Sequence, residues 1–321
     1  MSDLPGAPAV LPPGGERRAA VRGVAWGGVE AATGALVGFL LTPLVVRAAG
    51  IEGLGLWAAS WSLAHTAGLL DLGVSASYAR FTARAIATGD TRALNGTVGA
   101  GVGFHLALSS LVAIGALAGA PLALARLTPP GAPRGEVVVV LFATLAVVLL
   151  RLTLSAYRGV VAGAQRIDLL GRIGAAVALL EGCGAAAALA LGFGLRGMAL
   201  NSLASAMLAC LAEGIIAHAV CPGLRLRPFA ARRSDWREIL TFGLNLQASR
   251  AAEILAAHVP RLALALGPGL AQAGAYDLAA RVASALNVAG ALPLPVVQPL
   301  ASRLEARGDR IRLRALLARA S

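Results

Sequence analysis

The chain reads as long apolar runs separated by short polar breaks. A helix needs about 20 such residues to cross a bilayer. Eight candidate spans result: Gly23–Val46, Leu54–Ser75, Leu94–Leu117, Val137–Tyr157, Leu169–Phe193, Met198–Val220, Ile239–Leu266 and Ala273–Val297. The longest outer break, Gly119–Glu136, holds Pro129, Pro130, Gly131 and Pro133, which end helices. The pattern predicts an all-α, polytopic transmembrane helix bundle of about eight spans with both termini cytoplasmic.

Arginine placement sets that orientation. All 28 basic residues are arginine. With the N-terminus inside, 20 fall in the inner segments and 4 in the outer ones (Arg47, Arg126, Arg134 and Arg196). Cytoplasmic loops carry such an excess. Trp26, Trp57, Trp61 and Trp236 lie near span ends, as interface anchors do.

Composition agrees. Of 321 residues, 57% are hydrophobic and 14% charged, and the mean hydropathy is +0.74. Soluble domains carry about 25% charged residues. A disordered chain, a secreted disulfide scaffold and a soluble globular domain are excluded. The net charge of +12 would ordinarily point to nucleic acid. Without lysine, with 4% aromatic residues and no binding motif, no nucleic-acid partner is expected. Three cysteines, Cys183, Cys210 and Cys221, are too few and scattered for a metal site or disulfide framework. Cys183 and Cys210 lie in apolar runs and read as small core residues. No metal or cofactor is expected.

Residues 1–22, rich in proline and glycine, read as a disordered cytoplasmic tail. The first apolar run is too long for a signal peptide. Small residues at Gly23, Gly27, Gly34 and Gly38, and at Gly96, Gly99 and Gly103, let helix backbones approach closely. A faint repeat follows spans one and seven. A shift of 219 residues places Gly55 on Gly274 and Trp57 on Tyr276. Equal orientation implies a parallel repeat about the membrane normal. Residues 23–220 then form a six-helix lobe and 221–238 a basic cytoplasmic linker. Residues 239–298 are the first two helices of a second lobe, and 299–321 a basic cytoplasmic helix leading toward a ninth span. The chain thus reads as C-terminally truncated.

Charges inside spans mark candidate chemistry, because a charge at mid-bilayer costs about 2.5–3.5 kcal/mol on insertion scales. In span seven, Gln247, Arg250, Glu253 and Arg261 share one helical face, which fits a water-filled lumen or a stripe buried on another helix. Span eight holds Asp277 and Arg281 as an i, i+4 pair, with Asn287 and a kink expected at Pro293 and Pro295. Arg151 either snorkels or faces the lumen. Glu30, Glu181 and Glu213, with Glu253 and Asp277, are candidates for ion coupling or charge pairing. Asp71 reads as a capping or pairing residue near the inner end of span two. His65 and His105 read as packed helix residues, and His258 as a weak titratable candidate.

Several stretches carry a family resemblance: Leu40–Leu44, Ala48–Trp57, Leu69–Gly73, Tyr157–Arg166, Phe242–Leu244, Arg261, Gly274–Tyr276 and Pro299–Leu304. Together they resemble the polysaccharide-biosynthesis flippases of the multidrug/oligosaccharidyl-lipid/polysaccharide exporter superfamily. The resemblance implies two lobes of six or more helices around a central cavity. It also implies passage of a lipid-linked oligosaccharide across the inner membrane by alternating access. The expected partners are membrane lipid and a polyprenyl-pyrophosphate-linked glycan. Arginine stays charged and grips phosphate oxygens bidentately, so Arg250, with Arg261 and Arg281, suits a pyrophosphate. A drug or cation antiporter of the same superfamily, or a fragment that transports nothing, are the alternatives. No large polar loop carries a carboxylate or histidine cluster, so no enzyme is expected.

Overall fold

The computed structural model describes residues 15–129, 131–228 and 232–291, with side chains undescribed at 15–21, 234, 245, 246, 248–250 and 285–291. Among these residues the chain is helical without strands. The elements are α1 (Gly15–Thr66), a 3-10 turn (Ala67–Asp71), α2 (Val74–Thr88), α3 (Thr91–Leu127), α4 (Arg134–Thr153), α5 (Ser155–Gly163), α6 (Ile167–Ala190), α7 (Gly194–Val220), α8 (Arg233–Leu266) and α9 (Leu270–Ala291).

These helices occupy seven candidate spans and the described part of the eighth, with corrections. α1 contains the first span and the larger part of the second, and its 52 residues break between them at Gly50, whose φ of 70° and ψ of 179° suit glycine. Five stretches are long and apolar enough to cross a membrane: Arg22–Asp71, Thr91–Leu127, Arg134–Gly163, Ile167–Ala190 and Gly194–Val220. Among the described residues α8 and α9 do not meet that standard, and charged residues lie in both: Arg250, Glu253 and Arg261 in one and Asp277 and Arg281 in the other. α1 begins at Gly15, so residues 15–22 extend the first helix rather than the tail. α8 begins at Arg233, which shortens the basic linker. Pro293, Pro295 and the basic segment 299–321 lie outside the described residues.

Spans two and four are not continuous helices. Span two passes through the 3-10 turn, then Leu72 (φ 51°) and Gly73 (φ 72°), before resuming as α2. Span four is interrupted at Leu154, whose φ of −93° and ψ of 7° depart from the helix between α4 and α5. The two breaks meet where Ser75 Oγ and Ser155 Oγ lie 3.2 Å apart. Proline causes neither break. Broken helices inside membranes are tolerated where they line a cavity.

α1 packs most extensively on α6 and α9, and α7 packs on α4 and α6. Two apolar clusters form the interior. One contains Val45, Leu54, Trp57, Val137, Leu195 and Leu270. The other contains Val74, Tyr78, Val98, Val160, Leu170 and Ile239, toward the arginine-rich ends of the helices. Leucines at positions 36, 111, 117, 122, 191 and 211 are exposed. In water they would be unfavourable, but they suit a lipid-facing surface. Cys183 is exposed rather than buried, because its helix face is one of these outer faces, whereas Cys210 and Cys221 are buried.

Candidate functional site

A polar layer is built from residues of both broken spans. A cavity of about 490 Å³ is lined by Trp61, His65, Asp71 and Ser75 from span two and by Arg151 and Ser155 from span four. Glu181 of α6 and Ser202 of α7 close it. A second cavity of about 350 Å³ is lined by Gly38, Thr42 and Trp57 of α1 and by Arg281 of α9. Trp61, Glu181 and Ser202 line both, so the two spaces lie on either side of the same three side chains.

An aromatic ladder follows one wall. Trp57 and Trp61 meet edge-on with centroids 5.9 Å apart, Trp61 lies 5.4 Å from His65, and His65 stacks on His258 of α8 at 4.9 Å. The first three stand four residues apart on one face of α1, so regular helix geometry lines them up. The i, i+4 spacing of Trp57, Trp61 and His65 was visible in the sequence, but nothing there showed that this face looks inward. His65 therefore lines the cavity instead of packing within the bundle.

The charged candidates separate into distinct groups. Arg151 lies on the first cavity and makes no ion pair among the described residues. Glu181 also faces both cavities, with Ser202 Oγ donating to its Oε1 at 2.7 Å. Arg261 Nε and Arg281 Nε donate to the two oxygens of the buried Asp277, at 2.8 and 2.7 Å. Arg281 also donates through Nη1 to the Gly38 carbonyl at 3.2 Å. The expected Asp277–Arg281 pair is thus present and joined by Arg261 from α8. Two guanidinium groups share one carboxylate, which leaves the cluster one positive charge in surplus.

Arg158 of α5 bridges Glu213 of α7 at 3.1 Å and Glu30 of α1 at 3.4 Å. Both glutamates are therefore charge-paired. Gln247 donates through Nε2 to the Leu69 carbonyl of the 3-10 turn at 2.7 Å, while its Oε1 is buried without a partner. Its amide holds the break in span two. Glu253 is exposed and lines neither cavity. The shared face of span seven, expected to line a lumen or to lie buried on another helix, is divided among its described side chains: the backbone break at Leu69 takes Gln247, Asp277 takes Arg261, and Glu253 is exposed. The side chains of Arg250 and Asn287 lie outside the described residues.

Asp71 and His105 go further than the sequence indicated. His105 is fully buried, and its Nε2 lies 2.6 Å from Asp71 Oδ1. Among the described residues, no group of three or more His, Cys, Asp or Glu side chains has the geometry to hold a metal ion.

Comparison with known proteins accounts for this architecture. The sequence matches the family described as polysaccharide biosynthesis protein over residues 20–305. No curated protein matches it. Among solved structures, the chain is similar to a MOP superfamily transporter from Pyrococcus furiosus Vc1 (DSM3638), with a TM-score of 0.57 and 18% identity over 88% of this chain and 71% of that one. It is similar to the outward-facing conformation of a multidrug resistance MATE family transporter of the same superfamily, with a TM-score of 0.58 and 18% identity over 91% of this chain and 73% of that one. The inward-facing conformation of such a transporter gives 0.57 and 17% over 94% and 69%. The chain belongs to the polysaccharide biosynthesis protein family and is a multi-pass membrane protein with the fold of the MOP superfamily transporters.

Proposed function

We propose that the chain carries a lipid-linked glycan precursor, joined through pyrophosphate to a polyprenyl chain, across the inner membrane by alternating access. The observation that carries this reading is the wall of the two neighbouring cavities, where Arg151, without an ion pair among the described residues, and Arg281, which shares Asp277 with Arg261, stand with Trp57 and Trp61. Such a precursor has three chemically distinct parts. Its pyrophosphate needs cations that stay charged, which arginine supplies. Its sugars are polar at their edges and partly apolar on their faces, and tryptophan offers an apolar ring with one polar N–H. Its hydrocarbon tail stays in lipid while the glycan crosses in the wet cavity. Arg250 stays a candidate contact for the pyrophosphate by its place on α8, three residues beyond Gln247.

The test is export of a lipid-linked glycan in cells whose own flippase has been deleted, with the whole protein supplied. The expected result is restored surface glycan, lost at least about tenfold in Arg151→Ala and in Arg281→Ala at equal membrane abundance, as loss of a charge-assisted bond predicts. Unchanged export in both variants, or exchange of organic cations for protons with no glycan export, overturns the reading.

A further inference from the structure

Behind the cavity wall lies a buried chain of three titratable side chains. Asp71, His105 and Tyr78 are 5%, 0% and 0% exposed. Asp71 Oδ1 and His105 Nε2 are 2.6 Å apart, and His105 Nδ1 and Tyr78 Oη 3.1 Å apart. Asp71 alone of the three lines the cavity. The arrangement is held closely. A Cβ at Gly101 would meet the Tyr78 ring and hydroxyl, and one at Gly159 would meet the Tyr78 Cβ.

We propose that Asp71, His105 and Tyr78 form a proton-binding site, reached from the central cavity through Asp71, that couples proton uptake to the break in span two. The proposal concerns the driving ion and stands whatever the cavity carries.

Hydrogen-bond chemistry allows one proton to be added without moving a heavy atom. An acceptor-only carboxylate at Oδ1 requires the hydrogen on Nε2. Nδ1 of the neutral ring then accepts from the Tyr78 hydroxyl. A proton that enters from cavity water binds the cavity-lining Asp71 carboxyl at Oδ2, while Oδ1 keeps the bond from Nε2–H and the Tyr78 hydroxyl holds the ring in that tautomer. The net result is one proton gained by the site and one lost by water. The carboxylate–imidazole pair changes from one negative charge to none.

That change falls at a mechanical junction. Asp71 Oδ1 also accepts from the Ser75 N–H at 3.2 Å and from Ser75 Oγ at 3.0 Å, so the same oxygen holds the first turn of α2. Ser75 touches Ser155 at the break in span four. Gln247 grips the Leu69 carbonyl from α8, and Gly73 lies against the Gly243 backbone of α8. A proton therefore alters the charge on the one oxygen that ties the buried histidine to the broken helix, beside its contact with α8. The other groups facing this spot are His65 from α1, Arg151 from α4, Ser155 from α5, Glu181 from α6 and Gln247 from α8. Arg151 is the cation among them, and uptake removes the negative charge it faces across the cavity.

The chain has four histidines, so ring ¹⁵N spectra of the whole protein in lipid nanodiscs are assignable one substitution at a time. The His105 ring signals are expected to move in one step as pH falls, because a proton on Asp71 weakens the charge-assisted bond that Nε2–H makes to it. Asp71→Asn, which keeps shape and removes charge, is expected to abolish that transition or move its midpoint by more than about one pH unit, tenfold in proton affinity. Tyr78→Phe, close in shape, keeps the fold testable should His105→Gln fail to accumulate, and is expected to move the midpoint as well. His105 ring signals that do not move with pH overturn the proposal. So does a wild-type midpoint that both Asp71→Asn and Tyr78→Phe leave unchanged.

Discussion

Gly55 and Gly274 face each other, and the backbone of the opposite helix fills the space where each one's side chain would be. A Cβ on Gly55 would collide with the Leu270 carbonyl and come within 3.1 Å of the Gly274 nitrogen. A Cβ on Gly274 would collide with the Ile51 carbonyl and come within 3.1 Å of the Gly55 nitrogen. The two contacts interchange under a shift of 219 residues, since Ile51 becomes Leu270 and Gly55 becomes Gly274. A local two-fold axis therefore runs between α1 and α9. Related elements that meet each other in this isologous way are what a parallel repeat produces.

This contact makes the first prediction. Gly55→Val and Gly274→Val each force backbones apart, at about 1–3 kcal/mol for overpacking. Both are expected to lower the thermal unfolding midpoint in nanodiscs. Gly27→Val on α1 is the control, because nothing lies within 4 Å of its missing Cβ. An equal fall in the control would mean that valine in the helix, and not the contact, is responsible.

The repeat shows where the sequence was readable. Gly55 and Gly274 stand at matching points of a regular pattern, so a fixed shift finds them. Span positions were equally legible, because apolar length is written locally. The Asp277–Arg281 pair followed from helical spacing. Its third member, Arg261, comes from another helix, and no spacing rule reaches across helices. The breaks in spans two and four were hidden for the opposite reason. Ala67–Leu72 and Leu152–Ser155 contain no proline, and their hydropathy runs straight through them. Only tertiary groups, the Gln247 amide and the paired serines among them, satisfy the backbone and side chains there. Asp71 and His105 lie 34 residues apart on different helices, so their meeting is a property of packing alone.

Arg158 tests charge pairing at the arginine-rich end. It is the common partner of Glu30 and Glu213, and the Glu213 side chain is 9% exposed. Removing it in Arg158→Ala leaves a nearly buried carboxylate without its cation, a large effect by comparison with surface pairs. The exposed pair of Arg84 and Glu238 is worth about 0–1 kcal/mol. Arg158→Ala is expected to destabilise clearly more than Arg84→Ala, and Glu213→Gln placed on Arg158→Ala to recover part of the loss. Equal losses in thermal stability for the two arginine variants would contradict this.

Asp277 gives a ranking. It is the shared acceptor of Arg261 and Arg281, with 6% side-chain exposure. Arg261→Gln leaves the pair with Arg281 intact. Asp277→Asn deprives both guanidinium groups of their counter-charge, and breaking a buried pair costs about 3–5 kcal/mol because it leaves an uncompensated charge. Asp277→Asn is therefore expected to lower membrane abundance and thermal stability more than Arg261→Gln. Adding Arg261→Gln to Asp277→Asn should restore part of the deficit. If Arg261→Gln proves the more damaging single change, the cluster does not depend on its carboxylate.

The break in span two separates backbone strain from contact. Gly73 and Gly89 have nearly the same conformation, with φ of 72° and 68°. An L side chain pays about 1 kcal/mol or more in that region. Around Gly89 the space for a Cβ is open, whereas at Gly73 it is filled by the Gly243 backbone of α8. Gly89→Ala is thus expected to show the conformational term alone. Gly73→Ala adds overpacking of about 1–3 kcal/mol, and its excess over Gly89→Ala measures what α8 holds at the break. Because Asp71 lies two residues away, Gly73→Ala should also disturb the His105 ring ¹⁵N signal, while Gly89→Ala leaves it in place. Equal stability losses with an undisturbed His105 signal would mean that α8 does not set the geometry of the broken span.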